Sequence, residues 1–237
     1  MKKRKIFLIS AIAVLVMALI IGAVYSIFVY LPERQKRQEQ ERMVAAYYAE
    51  KLDRYQTENE QYADYEVEVA FLGDSLTDGY DLERYYPQYI TANRGIGGET
   101  THGLEKRLQV SAYDLKPKVV VMLIGGNNLD TMFENYENIL TGLQKNLPES
   151  KVILVSLTAM GRDWAHKNQI AAYNNVKIQK LAQKYGYDFV DMFTPLFDLS
   201  TGEIVSDYTN DGVHLTHEGY QVFTQKLTSV IEKNLNP

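Results

Sequence analysis

An α/β fold, three-layered α/β/α with a five-stranded parallel sheet, is what this sequence predicts, and two observations carry the prediction. Five segments read as strands, at residues 65–72, 89–93, 118–124, 151–157 and 187–192, and helical segments such as 99–108 and 169–185 alternate with them. That alternation is the pattern of a parallel sheet with helices on both faces. In addition, the roughly 170 residues from Tyr65 onward suit a single domain with one core. Two helices precede this domain.

The first is a transmembrane anchor. Residues 6–31 carry no charge, and at about 1.5 Å per residue they give roughly 39 Å of helix against a hydrocarbon core of about 30 Å. Lys2, Lys3, Arg4 and Lys5 precede the span and resemble the basic region of a secretory signal. The apolar run, however, is much longer than a signal's core of about 7 to 15 residues, so a retained anchor is the better reading. Cleavage after Ala23 or Ser26 is the alternative. Arg34, Lys36, Arg37 and Arg42 follow the span and nearly balance the charges before it; the density of basic residues in the first five tips the amino terminus inside and the rest of the chain outside. Residues 1–31 are thus read as cytoplasmic tail and anchor, and the protein as single-pass in the cell membrane. The absence of cysteine fits an exported protein without disulfides and a cytosolic one equally well.

Residues 32–64 read as an amphipathic stalk helix, with Ala45, Tyr48, Leu52, Tyr55 and Tyr62 at helical intervals. A short coiled-coil dimer is one outcome. The seam is short and interrupted by Asn59, which favours a helix packed on its own domain. The oligomeric state stays open.

Residues 65–237 form the main domain. Val67, Val69 and Phe71 alternate with Glu66, Glu68 and Ala70, and the alternation stops at Gly73. Within 118–124, Val119 to Ile124 are an unbroken apolar run, as in a buried strand. A final helix at 217–234 follows a loop carrying Asp211 and His214 and is expected to fix that loop against the sheet.

The chemistry gathers where strands end. Ser75, in Gly73-Asp74-Ser75-Leu76, leaves the carboxyl end of the first strand, the edge where open α/β sheets build their sites. Taken alone, a serine there is more commonly a helix cap. Three further segments follow other strands: Gly95-Ile96-Gly97-Gly98-Glu99-Thr100, Gly125-Gly126-Asn127-Asn128 and Asp211-Gly212-Val213-His214. A serine hydroxyl needs a base to take its proton, and the base needs a third group to fix its tautomer. His214 and Asp211 suit these roles, because three-residue spacing lets one turn present both to the same side.

In this order the four segments resemble the blocks of the SGNH hydrolases, the GDSL family of lipases and esterases, over roughly residues 66–230. The matching residues are Ser75, Gly98, Asn127 and His214. The resemblance implies a flavodoxin-like sheet, a catalytic set of Ser75, Asp211 and His214, and an oxyanion hole made by the backbone N–H groups of Ser75 and Gly98 with the Asn127 amide. Glycine suits position 98 because a backbone donor approaches substrate closely only if no Cβ intrudes. The third block departs from the family at Asn128, where an aspartate is usual, leaving that carboxylate's role in doubt and the Asn127 donor intact. No Gly-x-Ser-x-Gly elbow surrounds Ser75, which separates the chain from α/β-hydrolases.

Other signals are weaker. The run from Gly95 starts like a dinucleotide fingerprint but has threonine at its sixth position. His102, His166 and His217 show no metal-ligand spacing, and no metal or cofactor is expected. Arg162 and Trp164, in the loop after residues 151–157, are candidate substrate contacts, with an ordinary loop the equal alternative. A formal charge of -5 argues against a nucleic-acid partner.

The expected activity is hydrolysis of a small-molecule, lipid or glycan ester through an acyl-enzyme. An O-acetyltransferase, a deacetylase of cell-envelope glycans and, from another class, an inactive surface binding module are the alternatives. Acyl length, the alcohol part and thioester cleavage stay open.

Overall fold

The computed structural model describes residues 2–236, with side chains described at residue 7 and from 15 to 236. The chain divides into two compact units, residues 1–50 and 51–237.

Helix α1 (Lys2–Tyr25) continues through a π-helical turn (Ser26–Tyr30) into α2 (Leu31–Asn59). This run is long and apolar enough to cross a membrane, its most apolar window having a mean hydropathy of 2.2 and no buried residues. Leu15, Met17, Leu19, Ile20, Ile21 and Phe28 are all exposed. A signal sequence passes the same test.

In the second unit β1 (Val69–Gly73), β2 (Thr91–Gly95), β3 (Val119–Leu123), β4 (Lys151–Val155) and β5 (Asp188–Val190) form one parallel sheet in the order β2-β1-β3-β4-β5. The order reverses direction after β2, so β1 and β3 are neighbours and their carboxyl ends flank a crevice, where open sheets bind ligands. Alternate side chains face opposite layers. Val69, Phe71, Val119, Val121, Ile153 and Val155 pack with α9 (His217–Leu235) through Tyr220, Phe223, Leu227 and Ile231. Leu72, Val120, Met122, Val152 and Leu154 meet α5 (Thr101–Lys106), α6 (Phe133–Asn146) and α7 (Asn168–Tyr185) on the other face. Short α3 (Ser75–Asp78) and α4 (Leu82–Tyr85) follow β1. Helix α8 (Phe193–Leu196) leads into a two-stranded hairpin, β6 (Phe197–Asp198) and β7 (Glu203–Ile204).

The first strand begins later than its alternation suggests. Tyr65 has a positive φ of 63° and forms a turn, while Glu68 spends its carboxylate on the backbone N–H of Ile90 at 3.0 Å. From Val69 both faces are buried. Ala70 packs on Ala92 and Leu115 rather than facing water.

The end of α2 packs on β2. Tyr55 is fully buried and its hydroxyl donates to the Gly95 carbonyl. Asn59, the residue that interrupts the apolar seam, donates to the Val110 carbonyl at 2.7 Å and accepts from Arg94 at 3.0 Å. Arg94 also pairs with Glu58 and lies over the Tyr55 ring, 4.7 Å from its centroid.

One buried group works against the core. The Tyr136 hydroxyl of α6 is buried and has no hydrogen-bond partner among the described residues. An unsatisfied buried hydroxyl costs about 1 kcal/mol or more. Tyr136→Phe is therefore expected to stabilise the protein by about 1 kcal/mol in urea unfolding. A loss of stability would show that the hydroxyl has a partner in solution.

Candidate active site

Ser75 stands at the junction of β1 and α3. The preceding Asp74 caps that helix, its Oδ1 accepting from the Leu76 N–H at 3.1 Å. From below, Tyr220 of α9 donates to the Leu76 carbonyl at 2.8 Å, and Tyr80 stacks on Tyr220 with ring centroids 4.8 Å apart. The serine therefore projects from a turn fixed on both sides.

His214 Nε2 lies 2.9 Å from Ser75 Oγ, and its Nδ1 lies 2.6 Å from Asp211 Oδ2. Asp211 Oδ1 accepts from the backbone N–H groups of Val213 at 2.9 Å and His214 at 2.8 Å. Burial alone would raise the Asp211 carboxyl, but the His214 side chain and these N–H groups outweigh it and hold it at about 2. The carboxylate stays charged and orients the imidazole with Nε2 toward the serine.

The loop is pinned at both ends. Thr209 Oγ1 donates to the His214 carbonyl at 2.8 Å and accepts from Gly212 N–H at 2.9 Å. Gly212 adopts φ +93°, and its carbonyl accepts from Gly161 N–H at 2.7 Å; a Cβ there would lie 2.4 Å from the Gly161 carbonyl oxygen. Thr216 caps α9 immediately after. The last helix thus holds the loop as expected. His217 is engaged elsewhere, with the Tyr85 hydroxyl at 2.6 Å and Arg84 at 3.2 Å.

Asn127 follows β3 in a short 3₁₀ turn (Gly126–Asn128). Its amide donates one hydrogen to the Glu99 carbonyl at 2.9 Å, which fixes its direction and leaves the second hydrogen without an acceptor among the described residues. Gly98 adopts φ +75°, and a Cβ there would meet open space. Glycine is thus required by the backbone conformation, not by crowding in the unliganded protein. Neither the Ser75 nor the Gly98 backbone N–H has an acceptor among the described residues.

Behind these groups lies a buried ion pair that the motifs do not reveal. Arg107, on the turn after α5, donates Nε to Glu99 at 2.9 Å, one terminal nitrogen to the Arg94 carbonyl at 2.9 Å and to Ser111 Oγ at 2.8 Å, and the other to the Gly73 carbonyl at 3.0 Å. Asn128 holds α5 instead of an aspartate, accepting from Thr101 N–H at 3.3 Å and donating to its hydroxyl at 2.9 Å.

Ser75, Asn127, Asp211 and His214 border one cavity of about 380 Å³, whose apolar wall includes Leu123, Leu157, Met160 and Val213. Trp164 and Lys167 line it as well. Arg162 does not; it borders a separate cleft with Gly212, and its backbone N–H donates to Glu203 at 2.8 Å. Gly98 is not among the cavity's lining residues. Among the described residues, no three of His, Cys, Asp and Glu gather as metal ligands would. Asp74, Lys167 and the Glu99–Arg107 pair are the site residues that sequence reasoning passes over. Asp74 lies inside the Gly73-Asp74-Ser75 run, yet nothing in the local sequence shows that the residue is only 3 % exposed.

The model of the GDSL-like Lipase/Acylhydrolase family matches residues 71–222. A rat protein, platelet-activating factor acetylhydrolase IB subunit alpha2, is 29% identical over 196 residues, covering 76% of this chain and 84% of its own. Among solved structures, a GDSL-like lipase from Bacteroides thetaiotaomicron is 27% identical with a TM-score of 0.68, covering 77% of this chain and 97% of its own. An acetyl xylan esterase is similar at 27% identity and a TM-score of 0.57, over 69% of this chain and 99% of that one.

Burial pushes the Asp74 carboxyl up to about 6 from an ordinary 3.8, against the opposing pull of the Leu76 N–H bond. Its proton is therefore held more tightly in the folded chain than in the unfolded one. The folded state is favoured fully below about pH 4 and loses ground as the pH rises to about 6, by about 3 kcal/mol. Asp211 titrates lower and with the opposite sign. Asp74→Asn keeps an oxygen for the cap and removes the titration. Its unfolding free energy relative to wild type is expected to rise by about 3 kcal/mol between pH 4 and pH 7; a difference independent of pH would show that Asp74 titrates normally.

Proposed function

The chain belongs to the GDSL-like lipase/acylhydrolase family, and from that membership we propose that it is a membrane-anchored serine esterase cleaving short-chain, above all acetyl, carboxylic esters. The observation that carries this reading is the hydrogen-bonded series Ser75 Oγ, His214, Asp211 at the mouth of a small apolar cavity. Ser75 Oγ adds to the ester carbonyl carbon while its proton passes to His214 Nε2, and the Asp211 carboxylate stabilises the resulting imidazolium. The carbonyl oxygen becomes an anion facing the N–H groups of Ser75 and Gly98 and the unspent hydrogen of Asn127. Collapse breaks the bond to the alkoxy oxygen, which takes the proton from His214. Water then attacks the acyl-Ser75 carbonyl with His214 as base, releasing the acid and restoring the serine.

The preference for short acyl groups is supported by the cavity, whose roughly 380 Å³ lies near the lower end for ligand sites. Similarity to an acetyl xylan esterase favours a second reading, in which the alcohol is a glycan of the cell envelope. The tether would be residues 1–31, with residues 32–64 as stalk and 65–237 as the catalytic domain outside the cell.

Ser75→Ala and His214→Ala should each abolish hydrolysis of acetyl esters to a similar degree, and the double variant should be little worse, because the two act as one unit. A fluorophosphonate probe should label the wild type and not Ser75→Ala; an unlabelled wild type would favour a binding module. Asn127→Ala should lower kcat by about 100- to 1,000-fold with KM little changed. Near-normal turnover in any of these variants would remove that residue from the mechanism.

Protease added to intact cells is expected to digest the chain beyond residue 31. Complete protection would reverse the topology, and a mature chain beginning near residue 24 or 27 would replace the anchor with a cleaved signal.

A further inference from the structure

A second cavity, of about 340 Å³, adjoins the one at Ser75, and the two share Asn127 and Lys167 in their walls. Their linings differ in balance. The first is walled largely by Leu123, Leu157 and Met160, whereas the second mixes Leu129 and Ile170 with the hydrogen-bonding side chains of Asn128, Asp130, Thr131 and His166. An ester has two arms on either side of its carbonyl carbon, and the shared wall at Asn127 is where that carbon must lie if Asn127 bonds the oxyanion. An apolar acyl arm fits the first cavity, which leaves the second, with its hydrogen-bonding groups, for the alcohol.

Lys167 sits at the junction of the two. Its side chain is half-buried, its Nζ lies 4.5 Å from the Trp164 ring centroid, and it makes no ion pair among the described residues. The surrounding carboxylates do not neutralise it: Asp211 is spent on His214, Asp74 caps α3, and neither Asp130 of the second cavity nor Asp163, four residues earlier on the same 3₁₀ helix, makes an ion pair among the described residues. A half-buried cation held against an aromatic face, with its donors unused, is a ready partner for an anionic group. We infer that the second cavity is the alcohol subsite and that Lys167 makes the enzyme prefer esters whose alcohol part carries a negative charge. This rests on the esterase reading of the same site.

The full-length enzyme can be assayed on para-nitrophenyl acetate, which is neutral, and para-acetoxybenzenesulfonate, whose charge is fixed. The quantity to follow is the ratio of kcat/KM for the anionic over the neutral ester, in which intrinsic leaving-group differences cancel between variants. Lys167→Met should lower the ratio about tenfold, and Lys167→Arg should hold it within about twofold of wild type. In the wild type, raising the salt concentration should narrow the ratio, since a half-exposed pair is screened. An unchanged ratio in K167M, an equal fall in K167R, or a wild-type ratio insensitive to salt overturns the subsite and leaves the esterase reading standing. Turnover of neither ester by the wild type overturns both.

Discussion

The guanidinium of Arg107 is the point on which the site's geometry depends. It is 2 % exposed and makes four hydrogen bonds, to Glu99, Ser111 and the carbonyls of Gly73 and Arg94. The two carbonyls lie at the ends of adjacent strands, one just ahead of Asp74-Ser75 and the other just ahead of the turn that holds Gly98. The carboxylate partner, Glu99, then offers its own carbonyl to Asn127. A buried cation deprived of such partners is destabilising by about 3–5 kcal/mol, so the four acceptors hold one arrangement with little latitude. Three motif segments that are far apart in the chain are thereby held by a single charge.

A second arginine extends this network outward. Arg94 uses its carbonyl for Arg107 while its side chain lies against Tyr55, Glu58 and Asn59 at the end of α2. Lys51 pairs with Asp78, the last residue of the helix that Ser75 begins. The final turns of α2 therefore belong mechanically to the domain that follows them, through polar contacts as much as apolar ones. Arg107 thus serves the strand ends behind the site, and Arg94 serves the helix.

Much of this was legible from local sequence, and the reason is that each motif sits where a hydrophobic pattern changes. Unbroken apolar residues at 119–124 and the halt at Gly73 mark strand ends without any knowledge of the neighbours. What was not legible depends on distant partners. The alternation puts Ala70 in one row with Glu66 and Glu68, yet Ala70 is covered by Ala92 and Leu115. Asn59 looked like an interruption because its acceptor and donor, Val110 and Arg94, are remote in sequence. Asn128 departs from the usual aspartate, and only the fold shows it bonded to Thr101. Arg162 and Trp164 are two residues apart in one loop, yet they border different clefts, and Arg162 takes a left-handed backbone conformation, with φ 53°.

The His214 and Asp211 side chains are 54% and 52% exposed. In the proposed cycle this openness decides the fate of the acyl group once it is on Ser75. Passing it to another alcohol requires that solvent be kept away from the imidazole, usually by a closed pocket. Here bulk water reaches the base from the open side at a concentration no dissolved acceptor can match. Partition of the acyl-enzyme therefore runs to hydrolysis, unless an acceptor bound in the cleft covers the imidazole itself.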